Sequence, residues 1–137
     1  MEKYFNIKNC IVWDKGGGGI GDLEHSLSTD YELAIVGHKG QCKIRGKREG
    51  SVWKHGKVNP NDMVHPTEKP KSLLKALISK FSDENDTVLD SFAGSFSTLI
   101  AAKSLKRKSI GIELEEKYCE IGAKRLENID HDDSWMS

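Results

Sequence analysis

The sequence is short of several things that usually announce a function. Its three cysteines, Cys10, Cys42 and Cys119, are odd in number and widely spaced. Such a set supplies neither a disulfide framework nor paired metal-ligand spacing. It predicts reduced thiols, a cytoplasmic location and no metal site. No apolar run approaches the roughly 18 residues of a membrane span, and the opening MEKYFNIKNC lacks the apolar core of a secretory signal. No membrane association is expected. There are three prolines, Pro60, Pro66 and Pro70, and no two are adjacent. Lys and Arg number 21, as do Asp and Glu, so the overall charge selects no anionic or cationic partner.

What is present is a globular composition, with 36% hydrophobic and 31% charged residues. The 137 residues suit one domain, which can bury a core but with a small margin of stability. Charge is placed unevenly. Lys39, Lys43, Arg45, Lys47, Arg48, Lys54 and Lys57 share their stretch with one acid, Glu49, whereas from Glu113 onward eight Asp/Glu stand against three Lys/Arg.

Along the chain, NCIVWDK predicts a strand from Cys10 to Trp13 that ends at Asp14 and Lys15. The following GGGGIGD is costly to order, which predicts a loop that is mobile or ordered by a ligand. YELAIVGHKG predicts a second strand, with Leu33 to Val36 nearly all apolar and so buried on both faces. Residues 39–64 predict an exposed basic loop with a short hairpin around SVWKHGKV. HPTEKP, 65–70, is a turn stiffened by prolines that push the preceding residues out of the helical region. It presents His65, Thr67 and Lys69, or simply marks a helix entry with Pro70 near the first turn. KSLLKALISKF then puts Leu73, Leu74, Leu77, Ile78 and Phe81 on one helical face. A strand at 87–90, a helix at 97–106, a strand at 108–113 and a helix from Leu114 complete the pattern, before an acidic tail expected to fray.

Strand, turn, helix, strand and helix over 87–127 make an α/β unit with a parallel strand pair. Ligands of such sheets sit at the carboxyl ends of the strands. Asp90 is expected there, at the head of DSFAGSFSTLIAAK. Gly94 permits close backbone approach in that turn, and amides at the next helix start point toward a ligand. Glu113, nineteen residues beyond Gly94, ends the following strand, where a carboxylate can accept from ribose hydroxyls. Spacing alone leaves open both a nucleoside-type site and a packed corner with an incidental acid.

HPTEKP, an amphipathic helix, VLDSFAGSFSTLIAA and IGIELEEKYCEIGAKRL, in that order, resemble the C-terminal half of DNA amino-methyltransferases. These enzymes methylate adenine N6 or cytosine N4 with S-adenosylmethionine. Their pattern is His/Asp-Pro-Thr-x-Lys-Pro, then Asp-Pro-Phe-x-Gly-Ser-Gly-Thr-Thr, then Gly-Ile-Glu with Tyr and an Ala-x-x-Arg-Leu helix. The Trp-Asp-Lys-Gly strand end, the glycine-rich loop, Gly-Asp-Leu and Tyr-Glu also resemble the family, so the likeness spans 10–127. It implies a single truncated domain over 1–137: post-catalytic strands and glycine loop at 10–38, basic loop at 39–64, cofactor half at 65–127 and tail at 128–137. The implied fold is α/β, a partial Rossmann-like S-adenosylmethionine-dependent methyltransferase fold, three-layered and missing central strands. The implied cofactor is S-adenosylmethionine. Asp90, Phe92 and Gly94 match its loop, Glu113 the ribose carboxylate, and Thr67, Lys69 and Pro70 the turn beside the methionine end. Thr98 matches the second threonine of the helix start.

The departures carry as much information. Ser91 stands for proline, Phe96 for the second glycine and Ser97 for threonine. If residue 96 needs positive φ, a phenylalanine there costs about 1 kcal/mol or more. Its ring would fill space meant for the methionine moiety, or else turn away and leave the loop intact. The family's catalytic Asp/Asn/Ser-Pro-Pro-aromatic motif, which holds the flipped base, has no counterpart, since no Pro-Pro occurs. A sheet without its central strands exposes edges that invite pairing. A partner chain completing the sheet, or a homo-oligomer, is therefore expected.

DNA is the other expected partner. Lys43, Arg45, Lys47, Arg48, Trp53 and Lys54 are its candidate contacts, through salt-dependent phosphate binding. The plain alternative is a solvated basic loop in which Trp53 is an anchor. Three functions follow: a methyltransferase fragment or subunit that holds cofactor but does not methylate alone, a non-catalytic DNA-binding or interaction protein on the same fold, and an unusual active enzyme. In the last, the acceptor site would lie at Trp13-Asp14-Lys15 beside the glycines.

Overall fold

The computed structural model describes residues 4–17, 24–65 and 68–131. Most of the glycine-rich stretch, Thr67 and the acidic tail lie outside the described residues. Contacts divide the chain into two compact units, 1–57 and 58–137, each with its own sheet.

The first unit is built on β1 (Asn6–Asp14), β2 (Tyr31–His38) and β3 (Val52–Lys54), in the order β2-β1-β3. β1 begins before the apolar run that betrays it. Pairing with β2 continues antiparallel to Asn6↔His38, through an irregularity between Ile7 and Asn9, and backbone ladders need no apolar side chains. Ile11 and Trp13 alternate onto one face and are buried. The Trp13 Nε1–H donates to the His55 carbonyl at 2.7 Å.

Two expectations fail in this unit. β2 is not buried on both faces: Leu33 is 60% and Ile35 57% exposed. Among the described residues it is an edge strand paired with β1 alone, and apolar content does not itself supply a covering layer. Nor does SVWKHGKV form a hairpin. Its first half is β3, parallel to β1 through Val12↔Val52 and Trp13↔Trp53. Val12 N–H to Ser51 O (2.8 Å) and His55 N–H to Asp14 O (3.0 Å) use the ladder groups that a hairpin would have paired locally.

The second unit contains α1 (Lys71–Phe81), β4 (Thr87–Asp90), α2 (Ser97–Ser104), β5 (Lys108–Gly111) and α3 (Glu116–Glu127). β4 and β5 are parallel, with Val88↔Ser109, Leu89↔Ile110 and Asp90↔Gly111 in register, as the strand–helix–strand pattern predicts. One face of the pair carries Val88 and Gly111, and α2 packs there. A Cβ on Gly111 would fall 2.7 Å from Leu99 Cδ2 and 3.1 Å from Ala93 Cβ, so glycine is what lets α2 seat on the sheet. Leu74 and Ile78 of α1 join Ile100, Ala101 and Ala102 of α2 and Ile129 in one core, with Val88, Leu105 and Leu126 at its margin. The opposite face carries Leu89 and Ile110 side by side, 62% and 55% exposed. No helix among the described residues is long and apolar enough to cross a membrane.

This asymmetry is measurable. Ile100 is 1% exposed, so Ile100→Ala should cost about 2–5 kcal/mol of unfolding free energy in urea. Leu89→Ala, on the open face, should change it by no more than about 0.5 kcal/mol. Equal losses would mean that the Leu89 face is covered.

Candidate functional site

The carboxyl ends of β4 and β5 are stitched together by the turn between β4 and α2. Asp90 Oδ1 accepts the Phe92 N–H at 3.0 Å, which reverses the chain as aspartate commonly does at turns. The Ala93 N–H then reaches Ile112 O (2.9 Å), and Phe96 N–H closes onto Ala93 O (2.8 Å). The Gly94 N–H donates to Glu113 Oε2 at 2.7 Å. Glu113 Oε1 accepts the Glu115 N–H at 2.9 Å. The amides of Glu115 and Gly94, with His65 nearby, hold the Glu113 carboxyl below its usual range. Glu113 is therefore an anion at neutral pH, aimed back at the glycine turn.

Gly94 has φ +52, and a Cβ there would come within 3.4 Å of the His65 ring. Both conditions favour glycine. The His65 ring lies over this turn and meets Tyr118 edge-on, with centroids 4.3 Å apart. Beneath them opens a pocket of about 220 Å³ lined by His65, Glu68, Lys69, Asp90, Phe92 and Thr98 with the turn backbone at Gly94. The sequence-predicted residues Lys69, Asp90, Phe92, Gly94 and Thr98 thus converge, and Glu113 adjoins them through its bond to Gly94. Phe92 is 89% exposed at the rim. Pro70 is buried at the N-cap of α1 and does not line the pocket. Thr67 is outside the described residues.

Phe96 takes the strained backbone and also turns its ring away. Its φ of 66 and ψ of 24 are left-handed, at the N-cap of α2, a conformation that costs a non-glycine residue about 1 kcal/mol. The ring lies on α3. A Cβ on Gly122 would fall inside it, 2.6 Å from Cδ2 and 2.7 Å from Cδ1. The pocket is not filled by Phe96.

A second group was not singled out by sequence reasoning. Glu68, the variable position of the HPTEKP turn, has a side chain 7% exposed and pairs with Arg125 of α3 at 2.8 Å. Its Oε1 also accepts from Ser97 Oγ (2.7 Å) and its Oε2 from the Val64 N–H (2.9 Å). Arg125 Nη1 donates to Ser95 O and Ser95 Oγ, at 2.9 and 2.8 Å. Arg125 does occur in the Arg-Leu of the α3 pattern. Its partner Glu68 could not be inferred, because pairing across 57 positions leaves no local trace.

The candidate nucleic-acid contacts belong to the first unit. Lys43, Lys47, Arg48 and Lys54 are exposed. Arg45 is half-buried and donates to the Lys43 carbonyl at 2.6 Å. Trp53 is half-buried in β3, and its Nε1–H donates to Gly50 O at 2.9 Å, so it anchors its own turn.

Parallel strands with Asp90 at the end of β4 and Glu113 two residues beyond β5, joined by a glycine turn into a helix, make a partial Rossmann-like α/β fold. Residues 1–124 match the N6_N4_Mtase family, described as DNA methylase, and the chain belongs to that family. It is 42% identical over 139 residues to the type II methyltransferase M2.DpnII of Streptococcus pneumoniae, covering 90% of this chain and 52% of that one. It is 40% identical over 138 residues to the type II methyltransferase M2.LlaDCHI of Lactococcus lactis subsp. cremoris, covering 89% and 51%. Among solved structures, the M1.HpyAVI-SAM complex matches with a TM-score of 0.77 and 30% identity, over 91% of this chain and 64% of that one. The chain spans about half the length of the curated relatives it matches.

The Glu68 cluster makes a pH prediction. Burial pushes the Glu68 carboxyl up, but the Ser97 hydroxyl, the Val64 amide and Arg125 outweigh it and hold it below 4.5. A depressed folded-state pKa adds stability above the unfolded value, which is lost as pH falls through the folded one. Urea unfolding from pH 7 to pH 3 should therefore show stability dropping below about pH 4.5. Glu68→Gln should start less stable and drop less steeply. Identical pH slopes would exclude Glu68 as a source of the acid sensitivity.

Proposed function

We propose that the second unit is the cofactor half of a DNA amino-methyltransferase, that it binds S-adenosylmethionine, and that these residues do not methylate DNA alone. The observation carrying this reading is the Gly94–Glu113 hydrogen bond, which sets an anionic carboxylate and a bare glycine turn at one end of the parallel pair. The pocket residues fit that cofactor. Glu113 would accept from its ribose hydroxyls, the turn at Asp90–Gly94 would lie against the methionine part, and Lys69 with Thr98 would border it. A pocket of about 220 Å³ is smaller than the roughly 300–1,000 Å³ of whole-ligand sites, which supports a site holding part of the cofactor. When bound, the cofactor supplies the methyl group, and the described residues supply binding and orientation.

Three further elements belong to the same proposal. The Pro-Pro motif that positions the target base is absent from these 137 residues, so base holding falls to residues outside them. The open Leu89–Ile110 face supports completion of the sheet by a partner chain or a second copy, because an apolar row beside an unpaired strand edge favours covering. The exposed Lys43, Lys47, Arg48 and Lys54 support DNA phosphate contact.

Calorimetry with S-adenosylmethionine tests the core of this reading. The chain should give binding heat, and Glu113→Ala should weaken binding by about tenfold or more, the usual worth of hydrogen bonds to a charged group. Labelled methyl groups should not enter unmodified duplex DNA with this chain alone. No heat with the folded chain would sink the cofactor site, and methyl incorporation proportional to protein would overturn the dependence on other residues.

A further inference from the structure

We infer that Phe96 is a positioning residue for the cofactor turn: its ring, seated on Gly122, fixes residues 90–98 against α3, so that positions 96 and 122 act as one unit. The inference rests on the cofactor-site reading above and deepens it.

Left-handed backbone at Phe96 is an unfavourable choice for a phenylalanine, and it persists only where surroundings hold it. The surroundings are identifiable. The Phe96 amide is bonded to Ala93 O, and its carbonyl accepts the Ile100 N–H that starts α2. Its ring covers the one position of α3 that has no side chain, in a buried place where even a methyl group would collide with the ring. A helix interior gains nothing from glycine by itself, since glycine there is less favourable than alanine. Close approach of the ring accounts for it. Three residues along α3, Arg125 holds Ser95 through both its carbonyl and its hydroxyl. The turn is thus fastened to α3 at two successive residues, polar at Ser95 and apolar at Phe96. Pocket-lining Gly94 and Thr98 flank these two anchors.

The pattern given under Sequence analysis has glycine at position 96 and alanine at the first residue of Ala-x-x-Arg-Leu, where Gly122 stands. The two departures are complementary in volume and in contact. A glycine at 96 would relieve the strained φ, yet it would also free the turn and leave a void over Gly122. The single change Phe96→Gly is therefore expected to weaken cofactor binding, although it moves the turn toward the common pattern. Gly122→Ala should weaken it too, by forcing the ring off the helix.

The test is a double-mutant cycle read by calorimetry with S-adenosylmethionine and by NMR. In the unaltered chain the Gly122 α-protons should be shifted upfield by the ring above them, and Phe96→Leu should remove that shift. Each of Phe96→Gly and Gly122→Ala should weaken binding about tenfold, and the double variant should recover most of the loss, since direct neighbours are not additive. Thermal melts of each variant separate a folded, misaligned turn from an unfolded chain. Where Phe96→Gly melts below the assay temperature, Phe96→Leu takes its place in the cycle. An unshifted Gly122 overturns the inference, as do additive losses or Phe96→Gly binding as tightly as the unaltered chain. A normal Gly122 shift with no binding heat in the unaltered chain would instead overturn the cofactor-site reading itself.

Discussion

The Glu68–Arg125 pair holds together three segments that are far apart in sequence. Glu68 belongs to the proline-stiffened turn and accepts from Ser97 at the start of α2, and Arg125 of α3 reaches Ser95 in the turn before it. Removing two charges from water costs several kcal/mol per ion, and a buried pair is poor evidence of net stabilisation. Its value here is directional. A guanidinium has fixed donor geometry, and with Glu68, Ser95 O and Ser95 Oγ as its acceptors the turn has little freedom to shift along α3. Glu68, Ser95 and Ser97 of this group also line the pocket beside Gly94.

Strong local order at that turn contrasts with open surfaces elsewhere. In the second unit the helices take one face of the β4–β5 pair and leave Leu89 and Ile110 exposed on the other. In the first unit Leu33 and Ile35 lie open on an edge strand. Isolated exposed apolar residues are ordinary, but adjacent ones in register across a strand pair are less so. Both rows belong to a family in which matched relatives are about twice as long as this chain. Sheet faces of this composition are stable in water only at a cost, which is the physical basis for expecting them to be covered.

Much of the second unit was legible in the sequence, and the reasons are local. The apolar spacing of KSLLKALISKF, the short TVLD and KSIG runs and the glycine turn each signal their own element. The convergence of Asp90, Gly94 and Glu113 follows from parallel topology once those elements are placed. The first unit was less legible. Apolar content at Leu33–Val36 reports a strand but not whether any layer covers it. β3 is three residues long and pairs with β1, a choice fixed by partners far away in sequence. Glu68 was invisible for the same reason, since its role depends on Arg125.

Phe96 shows how a departure from a sequence pattern should be weighed. Considered alone, a phenylalanine at a left-handed position is a defect: it strains the backbone and threatens the pocket. Its consequence depends on where the ring goes, and that is decided by residue 122. A bulky group can replace glycine in a tight turn when the packing partner gives up its own side chain, and the Phe96 ring does lie over the bare backbone of Gly122. The missing Pro-Pro motif is a departure of another kind. No Pro-Pro pair follows β4 or β5 in its place, whereas the turn keeps its hydrogen bonds to Ile112 and Glu113. The absence of a Pro-Pro pair and the persistence of the hydrogen-bonded Gly94 turn are therefore physically separable, and the residues around Gly94 bear only on the second.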